Sequence, residues 1–478
     1  MKTQSGCLIN GEWVAAEAGT LEVMDPSTGA VINAIARSAA SEIDSAVSAA
    51  RAAMQGDWGH LPAVERGRIL SRLSALIAEH HEELAEIECF DTGKPLSQAS
   101  NDITATARYF EYYGGAADKL HGEVIPYQDG TTVMVQREPY GVCAVIIPWN
   151  YPAQIFGRTV GGALAAGNTV VLKPAEEACL SVLRLSELAV EAGVPAGVLN
   201  VVPGLGNEAG AALAAHPDID HLSFTGSPAT GTAVSRAASG RHVRLTMELG
   251  GKSAQVVFAD ADLDAAADTA VRAIVQNAGQ TCSAGSRLLV EHSAREAMVS
   301  RLVERFSALV VAPGIEDRDS GPLINAAQRK RLEGMLERGR EAGMEVLASG
   351  QIADDAPAGG HFVPPMLVTG LPVEHEVACE ELFGPVLTLF EFDGDEEAVA
   401  LANATDFGLV TGLWTRDAGR ALALPPRLRS GQVFVNNYGA GGGVELPFGG
   451  VKRSGYGREK GFEGMKSFTT VKTVVLKH

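Results

Sequence analysis

No apolar run in the sequence approaches the roughly 20 residues that a bilayer-spanning helix requires. The apolar stretches, such as 142–147 and 198–202, are short, so no membrane partner is expected. The opening Met1-Lys2-Thr3-Gln4-Ser5-Gly6 lacks the charged start and apolar stretch of a secretory leader, and a soluble cytoplasmic protein is expected. Cysteine is sparse and scattered, with six residues at 7, 89, 143, 179, 282 and 379. No two form a C-x-x-C pair and no histidine cluster has zinc-ligand spacing, so neither a disulfide framework nor a metal site is expected. A cysteine with a chemical role would work alone, as a thiolate. Positive charge is in deficit: 39 Lys and Arg against 58 Asp and Glu leave a net charge of −19. Such a surface repels phosphate backbones and argues against nucleic-acid binding. It leaves small anions to local N–H groups and single cations. There is no internal repeat and no low-complexity tract.

What is present is a globular composition, 46% hydrophobic and 20% charged over 478 residues, long enough for two or three domains. Residues 41–118 read as helical, with Ile69, Leu73, Leu76, Ile77 and Leu84 at helical spacing. Segments 119–127 and 132–140 flank the turn signal Gln128-Asp129-Gly130 and read as a hairpin. From 141, strands at 142–147, 169–172, 198–202 and 221–224 alternate with helices near 152–166, 180–192, 207–215 and 229–238. Short, nearly continuous apolar strands separated by helices argue for a parallel sheet covered on both faces. A second alternating block has strands at 254–258, 287–291, 386–392 and 433–436 and helices near 262–276 and 293–310. Residues 350–360 read as a surface loop. The β-prone tail 468–476 needs a partner strand, either the hairpin or another subunit. The expected architecture is α/β. A doubly wound dinucleotide-binding domain spans 1–118 and 141–250, and a second α/β catalytic domain spans 251–447. A small β bridging or oligomerisation element comprises 119–140 and 448–478.

Two glycine patterns mislead. Gly250-Gly251-Lys252-Ser253 resembles the end of a phosphate loop, but Thr246 stands where that pattern needs glycine. Gly204-Leu205-Gly206-Asn207-Glu208-Ala209-Gly210 is one residue too long for the dinucleotide fingerprint and, taken alone, reads more readily as a tight strand–helix turn than as a nucleotide contact. Three other segments carry more. Ile146-Ile147-Pro148-Trp149-Asn150-Tyr151-Pro152 ends a predicted parallel strand, where open α/β sheets bind ligands. Met247-Glu248-Leu249-Gly250-Gly251-Lys252 falls at the domain junction. Gly279-Gln280-Thr281-Cys282-Ser283-Ala284-Gly285 is a small, polar, glycine-flanked loop around one cysteine. Read alone, Asn150 serves equally as a turn residue, Glu248 as a capping or surface carboxylate, and Cys282 as a buried structural cysteine.

Together these segments resemble the aldehyde dehydrogenase superfamily, from Ile9-Asn10-Gly11-Glu12-Trp13 to Pro447-Phe448-Gly449-Gly450. Lys173-Pro174-Ala175-Glu176, Phe224-Thr225-Gly226-Ser227 and Glu380-Glu381-Leu382-Phe383-Gly384-Pro385-Val386 lie between in matching order. The resemblance implies oxidation of an aldehyde to a carboxylate with NAD⁺, NADP⁺ being possible in its place, by a homodimer or homotetramer. It implies Cys282 as nucleophile, a soft group that adds to the carbonyl and later leaves. A polar loop near a cationic cofactor ring is expected to favour its thiolate. The Asn150 amide and the Cys282 N–H would receive the developing alkoxide. Glu248 would activate water to hydrolyse the thioester, its pKa raised by desolvation.

The resemblance likewise assigns cofactor contacts. The helix after Phe224, Gly226 and Ser227 would meet the pyrophosphate with its N-terminus, with Thr230 in its first turn. Ile146, Pro148, Trp149 and Leu249 would line the cofactor. Lys173 and Glu176 would hold the adenosine ribose, with Gly206 and Gly210 nearby. Glu176 would repel a 2′-phosphate and so favour NAD⁺. Glu381 and Phe383 would hold the nicotinamide end, although alone they read as a solvated charge and a core ring.

Two positions depart from the pattern. Many relatives have Lys nine residues after the motif Asn, paired with a C-terminal Glu in a proton path; here that place is Thr159, while the Glu is present as Glu459. Arg158 stands where many relatives carry an aromatic. Tyr151, Ile155 and Arg158 share a helix face, which by resemblance lines the aldehyde tunnel, with the small Thr281 and Ser283 beside Cys282. Arg158 would bind a remote carboxylate or an aryl ring, giving a semialdehyde or aryl aldehyde as substrate, or else bend out to a surface carboxylate. A CoA-acylating enzyme and a catalytically silent relative are the competing readings. Glu248 argues against the first, and the intact Cys282, Asn150 and Glu248 against the second.

Overall fold

The apolar, β-branched run Val142–Ile146 is wholly buried and lies inside an eight-stranded sheet. The computed structural model describes residues 4–439 and 443–478; residues 1–3, where the segment read for a leader begins, lie outside these. Along the sheet run Glu12–Val14, Cys7–Ile9, Leu199–Val201, Thr169–Lys173, Val142–Ile146, His221–Thr225, Arg244–Glu248 and Gly455–Tyr456. The inner five are parallel and both edges are antiparallel. From Val142–Ile146 the chain lays two strands to one side. It then returns to place His221–Thr225 on the other. This reversal opens a crevice at the carboxyl ends of adjacent strands, where such sheets bind ligands.

Helices cover both faces. Leu96–Ala116 packs on Pro152–Ala166. The approach is close because Gly157 and Gly161 have no Cβ: one there would stand 3.2 Å from Tyr109 and 2.9 Å from Tyr113.

The second sheet has seven strands: Glu345–Ser349, Met366–Thr369, Val386–Phe392, Arg287–Glu291, Ala254–Val257, Val410–Trp414 and Gln432–Val435. All neighbours are parallel except the first pair. The tail strand Thr469–Lys477 pairs antiparallel with Thr131–Pro139, which also pairs with Glu123–Ile125. The tail therefore finds its partner in the chain's own hairpin. Among the described residues no helix is long and apolar enough to cross a membrane.

Three elements differ from the sequence reading. Cys7–Ile9 and Glu12–Val14 form a hairpin about Asn10-Gly11, both with positive φ. Arg244–Glu248 is a strand although its residues mix charge and apolarity, because only its last three are buried. Within the expected loop 350–360, Gln351–Ile352 pairs with Val310–Val311.

Candidate active site

The loop carrying Cys282 leaves helix Leu263–Val275 through a sharp reversal. Asn277, Ala278 and Gly279 follow one another at φ 47°, 53° and 72°. Two non-glycine residues in this left-handed region are costly, and surrounding hydrogen bonds hold them. Asn277 N–H donates to Gln98 (2.8 Å), and its side-chain amide to the Asn150 carbonyl (2.9 Å). Gln280 Nε2 donates to the Asn277 carbonyl (3.1 Å), while Gln280 Oε1 accepts from Ile324 N–H (2.9 Å). Gly279 is required on space alone, since a Cβ would lie 2.2 Å from the Gly384 carbonyl oxygen. The turn delivers Cys282, half-buried, to a cavity of about 850 Å³ between the two sheets.

Asn150 lies between strand Val142–Ile146 and the helix begun by Pro152. It is buried, and its amide donates to the Gln280 carbonyl at 2.9 Å, tying it to the cysteine loop. Its own carbonyl accepts from Lys94 Nζ at 3.0 Å. Tyr151 and Thr281 hydroxyls are 2.7 Å apart. Glu248 closes strand Arg244–Glu248, is 2% exposed and lines the same cavity. Neither of its carboxylate oxygens has a hydrogen-bond partner among the described residues. Burial, then Glu459, pushes its pKa well above the carboxylate range, against the pull of Arg158 and Arg458.

Burial likewise pushes the Cys282 thiol up to about 12; Arg158 opposes this, while Glu381 and Glu248 add to it. In the chain alone desolvation outweighs the nearby guanidinium, so the expected thiolate depends on the cationic cofactor ring. Glu381 accepts from Gly251 N–H at 2.9 Å, and burial raises it to about 7. Phe383, at φ 54°, stands edge-on to Trp149 with centroids 5.4 Å apart.

Pro148, Trp149, Gly226, Ser227, Leu249, Glu381 and Phe383 line the cavity with Cys282. Ile146, Phe224, Lys173, Glu176, Gly206, Gly210 and Thr230 do not line it. Ile146 pairs in register with both Lys173 and Phe224, so these lie at the ends of three adjacent strands. Lys173 Nζ meets Glu176 at 2.7 Å, and Glu176 accepts from Gly206 N–H at 3.1 Å. Gly210 faces the Lys173 stem, which a Cβ would meet at 3.8 Å. Ser227 caps helix Pro228–Ser239, its Oγ accepting from Thr230 N–H at 3.2 Å.

Tyr151, Ile155, Arg158, Thr281 and Ser283 also line the cavity. Arg158 does not bend out to the surface: it is buried and forms an ion pair with buried Glu459. Thr159 turns its hydroxyl back to the Ile155 carbonyl (2.6 Å). Among the described residues no His, Cys, Asp and Glu group is placed to hold a metal.

The sequence matches the pattern of the aldehyde dehydrogenase family over residues 13–474. The chain belongs to that family. This aldehyde dehydrogenase is 58% identical to a Burkholderia cenocepacia protein of known structure, provisionally assigned as an aldehyde dehydrogenase, with TM-score 0.98 over 99% of this chain and 100% of that one. It is 42% identical to PnpE of Pseudomonas sp. WBC-3, solved in complex with nicotinamide adenine dinucleotide, with TM-score 0.96 over 99% and 98% of the two chains. It is 40% identical to the betaine aldehyde dehydrogenase of Bacillus subtilis over 98% of this chain and 96% of that one.

Several residues of this aldehyde dehydrogenase's cavity, and Lys94 behind it, escaped the sequence reading. Lys94 is buried and donates to Glu88 (3.1 Å) and Asp102 (2.5 Å) as well as to Asn150. Tyr438 donates to the Ser283 carbonyl at 2.6 Å. Gln328 and Arg331 donate to the carbonyls of 381–383 and fix that loop. Lys460 lines the cavity directly after Glu459 in sequence. Gly93-Lys94-Pro95 gave no sign of burial; Lys460 could have been found through its neighbour.

Proposed function

We propose that this aldehyde dehydrogenase oxidises its substrate to a free carboxylic acid with NAD⁺, through Cys282 as nucleophile and Glu248 as general base. The observation that carries the reading is that Cys282, Asn150 and Glu248, distant in sequence, line one cavity. Cys282, its thiol proton lost to water, bonds through Sγ to the carbonyl carbon, and the carbonyl π pair moves onto oxygen to give the tetrahedral thiohemiacetal as its alkoxide. The Asn150 amide, anchored through Gln280 and Lys94, is positioned to donate to the new alkoxide. NAD⁺, when bound, supplies the hydride acceptor and a positive charge beside the sulfur. The thioester left on Cys282 is hydrolysed by water that Glu248 deprotonates. A carboxylate with no competing hydrogen bond and a raised pKa suits that role.

Features of the chain fit the cofactor. The Ser227-capped helix N-terminus suits the pyrophosphate, Lys173 and Glu176 the adenosine ribose, and Trp149, Phe383 and Glu381 the nicotinamide end. Segments 1–118 and 141–250 would bind the dinucleotide, and 251–447 would contribute the catalytic loop. Exposed Val124, Val471 and Val475 on the small sheet, with Tyr127 in the turn beside them, support association of two or four copies. The small Thr281 and Ser283 and the cationic Arg158 suit an aldehyde with a bulky or acceptor-bearing remote end.

The test is a panel of aldehydes read by NADH absorbance, with the acid product identified in the presence and absence of CoA. NADH and free acid are expected, and Cys282→Ala should lower turnover by at least about 10³-fold. Acyl-CoA formation, or turnover retained in Cys282→Ala, would overturn the reading.

A further inference from the structure

Asn150 carries two side-chain N–H groups, and one of them donates to the Gln280 carbonyl at 2.9 Å. A carbonyl oxygen only accepts, so this contact admits the nitrogen end of the amide and not its oxygen end. The second N–H is left for a substrate oxygen. Asn150 Oδ1 is buried with no hydrogen-bond partner among the described residues, so nothing grips the amide from that side. Turned over, the amide would present Oδ1 to the developing alkoxide and repel it. The place of the Gln280 carbonyl relative to residue 150 therefore sets the sign of this interaction.

Residue 150 follows a strand of the first sheet and residue 280 lies in the cysteine loop, 130 positions away. Asn277 joins the two. Its Nδ2 donates to the Asn150 carbonyl at 2.9 Å and to the Gln280 carbonyl at 3.4 Å. Lys94 Nζ meets the Asn150 carbonyl as well, at 3.0 Å, so that oxygen has two donors. The Asn277 backbone is pinned in turn by Gln98 and by Gln280 Nε2. Asn277 is 1% exposed and does not line the cavity, so it is not placed to touch a substrate. Backbone conformation alone does not call for asparagine here. At φ 47° glycine fits without steric cost, and asparagine only better than most other residues. Asn277 Oδ1 is buried without a partner among the described residues, an unfavourable state for an amide oxygen. What the side chain contributes is its pair of donated bonds.

We propose that Asn277 is a positioning residue that sets which end of the Asn150 amide faces the substrate oxygen. It does so by holding the Gln280 carbonyl and the Asn150 backbone at one fixed separation. This rests on the reading of Asn150 as donor to the alkoxide and names what orients that donor. Without the Asn277 amide the Gln280 carbonyl can shift and the Asn150 side chain can turn. A displacement of about 1 Å at such a donor is enough to cost about 10²-fold in rate. Because Asn277 acts through Asn150, the reactivity of the Cys282 thiol itself should not depend on it.

The experiment is a double-mutant cycle in kcat/KM for one aldehyde that the native enzyme oxidises, with Asn150→Ala, Asn277→Gly and the two combined. Asn277→Gly removes the amide and leaves a residue that accepts φ 47°. Asn150→Ala should lower kcat/KM by about 10²- to 10³-fold, the loss of one oxyanion donor. Asn277→Gly should lower it by about 10- to 100-fold. In the Asn150→Ala background the same change should cost less than about 3-fold, because the group it orients is gone. Alkylation of Cys282 by iodoacetamide, followed on its own peptide by mass spectrometry, develops no oxyanion and should keep its rate in Asn277→Gly. Should Asn277→Gly not fold, Asn277→Asp keeps the shape, removes the donor and runs the same cycle. Losses that multiply in the double variant, or an alkylation rate that falls along with kcat/KM, would show a merely structural role and overturn the inference. Native activity in Asn277→Gly would overturn it too. Native activity in Asn150→Ala would instead defeat the underlying reading of Asn150.

Discussion

The two ends of the crevice are built on opposite electrostatic terms. At the end proposed for the nucleotide, polar groups already hold one another: Lys173 pairs with Glu176, Glu176 accepts from Gly206, and Ser227 is satisfied by Thr230. At the reaction end, both Glu248 oxygens, Asn150 Oδ1 and Arg158 Nη2 are buried with no hydrogen-bond partner among the described residues. Each such atom costs about 1–3 kcal/mol. A fold tolerates several in one place where their unused capacity serves a ligand or a transition state. The nucleotide end is thus a preformed cradle, whereas the reaction end stores unmet electrostatic demand.

The contrast breaks most sharply at Glu248. Glu248→Gln keeps the shape but removes the base, and steady-state turnover should drop by about 10²- to 10⁴-fold. A burst of NADH, one per active site, should survive, because acylation of Cys282 does not need this carboxylate. The native pH profile should also change. The Glu248 pKa is raised, so its carboxylate forms only as pH climbs beyond the ordinary glutamate range. Deacylation should therefore accelerate with rising pH on the alkaline side of that range, and the limb should vanish in the variant. A variant that turns over normally would remove Glu248 from the chemistry.

Beside the unsatisfied groups stands one that is fully engaged. Lys94 bridges Glu88, Asp102 and the Asn150 carbonyl in complete burial. Lys94→Met would strand two buried carboxylates, and a loss of about 3–5 kcal/mol in stability is expected from denaturant midpoints. The sign with pH is fixed. Stranded carboxyls have folded pKa values above their unfolded ones, so the penalty grows as pH rises through the unfolded range and shrinks in acid. Equal destabilisation at pH 4 and pH 8 would contradict this account.

Much of this was legible in the sequence, unevenly. Local signals located the strands 142–146, 169–173 and 287–291 and the helices between them, because continuous apolar β-branched runs bounded by helical patterns have few other solutions. Asn10-Gly11 carried a strong hairpin signal that was passed over. Arg244–Glu248 has no such signal, since its burial comes from its neighbours in the sheet. Glycine-flanked motifs marked Cys282 and Glu248. The partners of Arg158 and Lys94 were hidden: Glu459 lies 301 residues from Arg158 in the chain and nothing local couples them. Whether a loop cysteine is ionised also depends on desolvation, which three-dimensional burial sets and spacing does not.

The smallest effect is expected at the satisfied end, and it tests whether that end recognises the cofactor at all. Glu176 is held below the ordinary carboxylate range, the pull of Lys173 and of backbone N–H groups exceeding the cost of burial. It is therefore a fixed negative charge at neutral pH, and a 2′-phosphate brought beside it would be repelled. Its side chain remains 27% exposed, so solvent screens that repulsion. Glu176→Gln removes the charge, keeps an acceptor for Gly206 N–H and releases Lys173 to meet phosphate. The ratio of kcat/KM for NADP⁺ over NAD⁺ should rise by about 10-fold, or ~1.4 kcal/mol. Stability should change little, because the amide keeps part of the network. A ratio that does not move would place the ribose away from Glu176 and leave the Lys173–Glu176 pair as a purely structural clasp between strand and turn.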